Sequence, residues 1–178
     1  MAILDCIKIG LPIPSDIKDF EALGGDVHDI KSLSINYDAS YGYMYVPYYH
    51  NNINYGQFIG TYREAVSSRF SGCLMVAWQD ADGIFAGHVQ TEKDRQPHDC
   101  RDLWEKKERV SQRSFSFKPS SILATSSADI QPLNCFGFIE FDAGFNNIAA
   151  FSVATDVNNI VTQRVKIYTG PFTGHIIK

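Results

Sequence analysis

The sequence predicts an α+β fold: a β-sandwich-centred layered arrangement of mixed sheets with outer helices, forming a single domain over residues 1–178. Three observations lead there. Nine segments rich in Val, Ile, Phe, Tyr and Thr, bounded by Gly, Asn, Asp or Pro, read as strands, against only two or three helical segments. Strands and helices do not alternate as a parallel α/β sheet requires. No repeat and no low-complexity linker divides the chain, and its 44% hydrophobic content suffices for one core.

In chain order, the apolar run 3–9 reads as the first strand. Ser15, followed by Ile17, Phe20 and Leu23 and closed by Gly24-Gly25, reads as a short capped helix. The next strand, 41–48, carries Tyr41, Tyr43 and Tyr45 in alternation, so these rings share one face. They belong to a group of seven tyrosines with Tyr37, Tyr48, Tyr49 and Tyr55. Such a group makes either a recognition surface or rings that cover one side of a sheet with their hydroxyls in water. Thr61-x-x-Glu64 has the pattern of a capping box for a helical turn from Tyr62 to Arg69.

Strands 73–79 and 84–90 flank Asp80-Ala81-Asp82-Gly83, a turn sequence that makes them a β-hairpin. Pro97 then opens a helix with Cys100, Leu103, Trp104 and Val110 on one stripe and Arg101, Glu105, Lys106, Glu108 and Arg109 outside it. Strands at 114–118, 121–125, 133–141, 147–155 and 160–168 complete the chain.

Charge and apolar length exclude several function classes. The 16 Lys and Arg against 20 Asp and Glu give a net charge of −4 with no block of like charge, so no nucleic-acid partner is expected. The longest apolar stretch, Cys73 to Trp78, is far short of the roughly 20 residues that cross a bilayer, and no membrane association is expected. The first residues have no basic region followed by a long apolar stretch, so a cleaved secretory signal is not expected.

Cysteine use points the same way. Cys6, Cys73, Cys100 and Cys135 are too few for a disulfide scaffold in a chain of this size and are expected to be thiols. Cys6 and Cys135 lie in apolar runs, where cysteine acts as a small buried hydrophobe, and Cys100 sits on the helix stripe. His98-Asp99-Cys100 lacks the paired spacing of a structural zinc site, so neither metal nor cofactor is expected.

The hairpin carries the chemistry. A turn centred between Ala81 and Asp82 sets Cys73 opposite Gln90 with His88 on the diagonal; a turn centred one residue earlier sets Cys73 opposite His88. Either register places Cys73, Met75, Ala77, Ile84, Ala86 and His88 on one face, where a cleft can lie, and Leu74, Val76, Trp78, Phe85 and Val89 on the other. Gly72 permits an unusual backbone angle and close approach of a ligand, and the amides of Gly72 and Cys73 are candidate oxyanion donors. An imidazolium beside a thiol can lower its pKa from about 8.5 into the range of roughly 3.5–7.5, which makes it a nucleophile. A buried structural thiol and a zinc ligand pair are the alternatives for the same residues.

Ser71-Gly72-Cys73, with a histidine fifteen residues on at His88, resembles the catalytic core of the cytotoxic necrotizing factor and Burkholderia lethal factor toxins, which are protein glutamine deamidases. The chemotaxis deamidase CheD is a more distant likeness. The family motif begins with Leu, and Phe70 stands there in this sequence. The resemblance implies a β-sandwich with outer helices, a Cys73 nucleophile and a His88 partner. Some members add a threonine six residues before the cysteine, a place held here by Ser67. His28, His50, His98 and His175 match nothing in the motif.

The implied activity is cysteine-dependent hydrolysis of a glutamine carboxamide in a target protein, by a bacterial toxin or effector working as a monomer in the cytosol of a target or host cell. The substrate by analogy is a GTPase or a translation factor. Transglutamination is a variant of the same chemistry. The alternative from another class is a non-catalytic β-sandwich binding module that uses the Tyr-rich segment.

Overall fold

The computed structural model describes residues 3–14, 17, 29–32, 37–38, 42–48, 52–91, 100–125 and 134–178, with backbone alone at 29–32, 37–38 and 123–125. In chain order its elements are α1 (Ile3–Cys6), β1 (Asp29–Ser32), β2 (Tyr37–Asp38), β3 (Tyr43–Tyr45), β4 (Asn52–Gln57), β5 (Glu64–Ser67), β6 (Leu74–Asp80) and β7 (Gly83–Val89). There follow α2 (Cys100–Val110), β8 (Arg113–Phe117), a 3-10 helix (Pro119–Thr125), β9 (Asn134–Phe141), β10 (Asn147–Thr155), β11 (Val161–Pro171) and β12 (His175–Ile177). The strands form two sheets, in the orders β1-β4-β7-β6-β8-β12 and β11-β10-β9-β5-β3-β2. Both are mixed, since β1/β4, β8/β12 and β3/β5 pair in parallel and the other pairs are antiparallel. The α+β sandwich of mixed sheets with outer helices is therefore the fold.

Strand alternation sorts the apolar residues into three clusters that define the layers. Met75, Ala77, Ala86, Phe115 and Phe117 of the first sheet meet Met44, Ala65, Ile139, Phe141, Ile148 and Ala150 of the second, which makes this the core between the sheets. Val76, Trp78, Phe85 and Val89 point the other way, beneath Cys100 and Trp104 of α2. On the outer face of the second sheet, Tyr43, Tyr45, Val66, Phe136 and Phe138 pack under Ile3, Leu4 and Ile7.

Several expectations need correction. Residues 3–9 are not a strand: Ile3, Leu4 and Ile7 have the i, i+1, i+4 spacing that α1 turns inward. The amides of Ile3 and Leu4 donate to the buried Glu64 carboxylate at 2.9 and 3.5 Å, which anchors this first turn. Glu64 is accordingly in a strand and not in a capping box, because pairing with β3 and β9 outweighs the local helix signal. Residues 121–125 belong to a 3-10 helix, started by Pro119 and the turn bond from Ser121 N to Lys118 O at 3.0 Å. Val110 is 76% exposed, so the buried stripe of α2 does not reach it.

The expected α2 start at Pro97 and most of the expected 15–25 helix lie outside the described residues. Tyr43 and Tyr45 do share a face, but it is buried, and Tyr45 Oη shares a hydrogen bond with Ser68 Oγ at 2.7 Å instead of facing water. Strands β1, β2, β4, β5 and β12 were not among those read from the sequence.

Candidate active site

The β6–β7 hairpin takes the first of the two registers considered: Met75 pairs with His88 and Leu74 with Val89. Continuing that register by one residue sets Cys73 opposite Gln90 and diagonal to His88. Residues so placed have Cβ atoms within about 7–8 Å of one another. Cys73 and His88 share the face that looks into the sandwich, so this face is core between two sheets and not an open cleft. Cys73 is 4% exposed and His88 1%. The pair nonetheless sits close to the surface, because exposed Ser71 and half-buried Gly72 lead directly into Cys73.

The opposite sheet supplies the third group. Ser67, the last residue of β5, is fully buried and its Oγ lies 2.8 Å from His88 Nδ1. After Ser67 the chain turns sharply at Arg69, whose φ of 64° is the left-handed conformation. The Phe70 amide then bonds Cys135 O at 3.2 Å, and Phe70 is driven inward. Its ring stacks on the His88 imidazole with centroids 4.1 Å apart and planes 6° from parallel. Phe70 thus provides a flat apolar support for the imidazole. Tyr48, half-buried, closes against the same imidazole at 5.1 Å.

Packing around this trio depends on a missing side chain. Gly137 pairs with Ser67, and a Cβ there would fall 2.6 Å from Met75 Sδ, 2.8 Å from Pro119 Cγ and 3.2 Å from Phe70 Cε2. Only glycine lets these three groups pack against the backbone opposite Ser67.

Burial dominates the electrostatics. It pushes the Cys73 thiol above its usual pKa, although the backbone amides of Thr91, Cys73 and Gly72 and the charge of Lys118 pull the other way. Burial alone pulls His88 down to about 3, so the imidazole is neutral at physiological pH. The expected thiolate–imidazolium pair is therefore not the resting state. His88 Nε2 has no hydrogen-bond partner among the described residues, the Cys73 sulfur included. What the arrangement offers is a neutral thiol set among backbone amides, and a neutral imidazole held at Nδ1 that, in the tautomer protonated there, has Nε2 free to take a proton.

Gly72 does not have the unusual backbone angle expected of it; that angle is at Arg69. Gly72 is tied instead through its carbonyl, which accepts from Thr91 Oγ1 at 2.6 Å. The Gly72 and Cys73 amides, the candidate oxyanion donors, lie near the sulfur with that of Thr91 and favour its charged form.

No family model and no curated protein matches this chain.

The remaining sequence candidates lie elsewhere. Cys135 and Cys100 are buried and Cys6 half-buried, and none of them forms a disulfide. His175 is exposed on β12 and shares a hydrogen bond with Ser114 Oγ at 2.9 Å; His28, His50 and His98 lie outside the described residues. Among the described residues no group of three His, Cys, Asp or Glu side chains is placed to hold a metal.

Two residues absent from the sequence reading adjoin the site. Asn54 pairs with His88 across β4 and β7, and Asn52 O accepts from the Gln90 amide at 3.4 Å. Both asparagines are fully buried. The alternation Asn52-Ile53-Asn54-Tyr55 was the available signal, a polar/apolar strand pattern obscured by the poor strand preference of asparagine.

Proposed function

We propose that the protein is a cysteine-dependent glutamine deamidase, hydrolysing the side-chain carboxamide of a glutamine in a partner protein through a thioester. The observation that carries this is the 2.8 Å pairing of Ser67 Oγ with His88 Nδ1, on the face that also bears Cys73. A hydroxyl that accepts from Nδ1–H fixes the tautomer in which Nε2 is the base.

In the first half-reaction Nε2 takes the thiol proton as sulfur attacks the amide carbon. The Gly72 and Cys73 amides hold the developing oxyanion. The C–N bond then breaks, the proton passes from His88 to the departing nitrogen, and ammonia leaves. In the second half-reaction water gives a proton to Nε2 and its oxygen to the thioester carbon, the C–S bond breaks, and the proton passes from His88 to the leaving sulfur to restore the thiol. No metal or cofactor takes part in this scheme. Deprotonating the thiol only as it attacks suits a cysteine whose pKa burial raises, since no buried ion pair has to be kept.

By its resemblance to the necrotizing-factor toxins, the protein acts as a bacterial effector in the cytosol of a target cell. The same thioester transfers to an amine if an amine replaces water, and amine incorporation measured beside ammonia release separates the two outcomes. The deciding experiment incubates candidate GTPases and translation factors with wild type and with Cys73→Ser. A gain of about one dalton, amide to acid, is expected with wild type alone. An equal gain with Cys73→Ser defeats the mechanism.

A further inference from the structure

A buried acceptor stands beside the catalytic imidazole. Asn54 lies directly across from His88 in the β4–β7 register, so both side chains leave the same face of the sheet. Asn54 is fully buried, and its Nδ2 donates to Pro47 O at 2.7 Å. That bond fixes the amide and leaves Oδ1 as an acceptor with no partner among the described residues. His88 Nε2, on the facing residue, is likewise unpartnered.

Buried polar atoms in folded proteins are nearly always satisfied, and leaving one unmet is costly. Two unmet atoms on directly paired residues therefore point to a shared ligand. In the tautomer that the proposed function uses, with Nδ1–H donating to Ser67, both Nε2 and Oδ1 are acceptors. A ligand that meets both brings two hydrogens, as water, a primary carboxamide NH2 or departing ammonia does, and all three take part in the proposed reaction. A carboxylate brings none and is rejected by both.

We propose that Asn54 Oδ1 accepts an N–H of the substrate carboxamide and selects glutamine over glutamate and over esters. This inference rests on the deamidase reading and deepens it. Asn54 would hold the leaving nitrogen next to the atom that protonates it, and the product acid, with no N–H to offer, would leave freely.

The test uses a blocked glutamine dipeptide and the γ-methyl ester of the matching glutamate dipeptide, with wild type, Asn54→Ala and Asn54→Leu. The leucine variant keeps the volume should the smaller side chain fail to fold. Expected is a loss of about tenfold or more on the amide with ester turnover little changed. An equal loss on both probes, or none on either, overturns the role of Asn54 and leaves the deamidase standing. Absence of turnover by wild type on both probes and on every candidate protein overturns the deamidase reading instead.

A readout that needs no turnover follows the His88 ring resonances in Cys73→Ala protein. They are expected to shift with propanamide and not with propanoate, and to lose that response when Asn54→Ala is added. Equal responses to the two compounds, or none to either, overturn the inference.

Discussion

Ser67 and His88 come from opposite sheets and meet at 2.8 Å, Oγ to Nδ1, with both side chains shut away from solvent. The hydroxyl is the one polar group among the described residues that holds this ring. Ser67→Ala should lower kcat about 10- to 100-fold with little change in KM, since it disturbs the base and not substrate binding. The orphaned Nδ1 should also cost about 1–3 kcal/mol of stability. Ser67→Thr keeps a hydroxyl and should restore most of the rate; no rescue by threonine would assign Ser67 a packing role.

Thiol chemistry gives a second test. Burial raises the Cys73 pKa, so alkylation by iodoacetamide should be slow at neutral pH and should rise with a midpoint above that of an ordinary thiol. Tyr48, against His88 and close enough to Cys73 for the two to interact electrostatically, should act as a cover. Tyr48→Ala is therefore expected to speed labelling of Cys73 identified by peptide mass. A midpoint well below the ordinary thiol value would restore the preformed ion pair.

Stability should fall with acid through His88. Its folded pKa of about 3 lies below the ordinary imidazole value of 6.5, so the neutral ring's contribution is fully present above 6.5 and is lost as pH drops toward 3. Within that window this group alone should remove about 1.4 kcal/mol per pH unit. Urea unfolding at pH 7 and pH 5 should show a smaller difference for His88→Gln than for wild type. Phe70→Leu, which removes the stacked ring, should raise the His88 pKa when followed by NMR.

Gly137→Ala tests the packing around Ser67. The added methyl would press on Met75, Pro119 and Phe70 at distances of 2.6, 2.8 and 3.2 Å. A stability loss of about 1–3 kcal/mol is expected, with an activity loss larger than thermal shift accounts for, because Phe70 moves against His88. An unchanged melting temperature and full activity would show that this corner yields freely.

How far the fold could be read from the sequence depended on whether local and long-range forces agreed. At Asp80–Gly83 they did: turn chemistry and apolar alternation both specify the hairpin, and one of two stated registers is the observed one. At Tyr62–Arg69 they did not, for a capping pattern competes with pairing to β3 and β9, and pairing wins. Residues 3–9 mislead because β-branched content masks the helical spacing of Ile3, Leu4 and Ile7, and the stabilising carboxylate is sixty-one residues away at Glu64.

Of the site, Cys73, His88 and Ser67 were named from spacing and resemblance, and the sheets bring them to one corner. Between an open cleft and a buried thiol the hairpin alone does not decide, because nothing along it discloses that its Cys/His face meets a second sheet. Asn54 escaped notice for the same reason: its neighbour His88 lies thirty-four positions on and is joined to it by sheet pairing alone.

That the hydroxyl and the ring belong to separate layers has a consequence for how competence arises during synthesis. A chain with each ribbon formed but not yet stacked would own every reactive atom and align none of them. Under the proposed function, hydrolytic power would arise only when the two layers stack, after both ribbons exist.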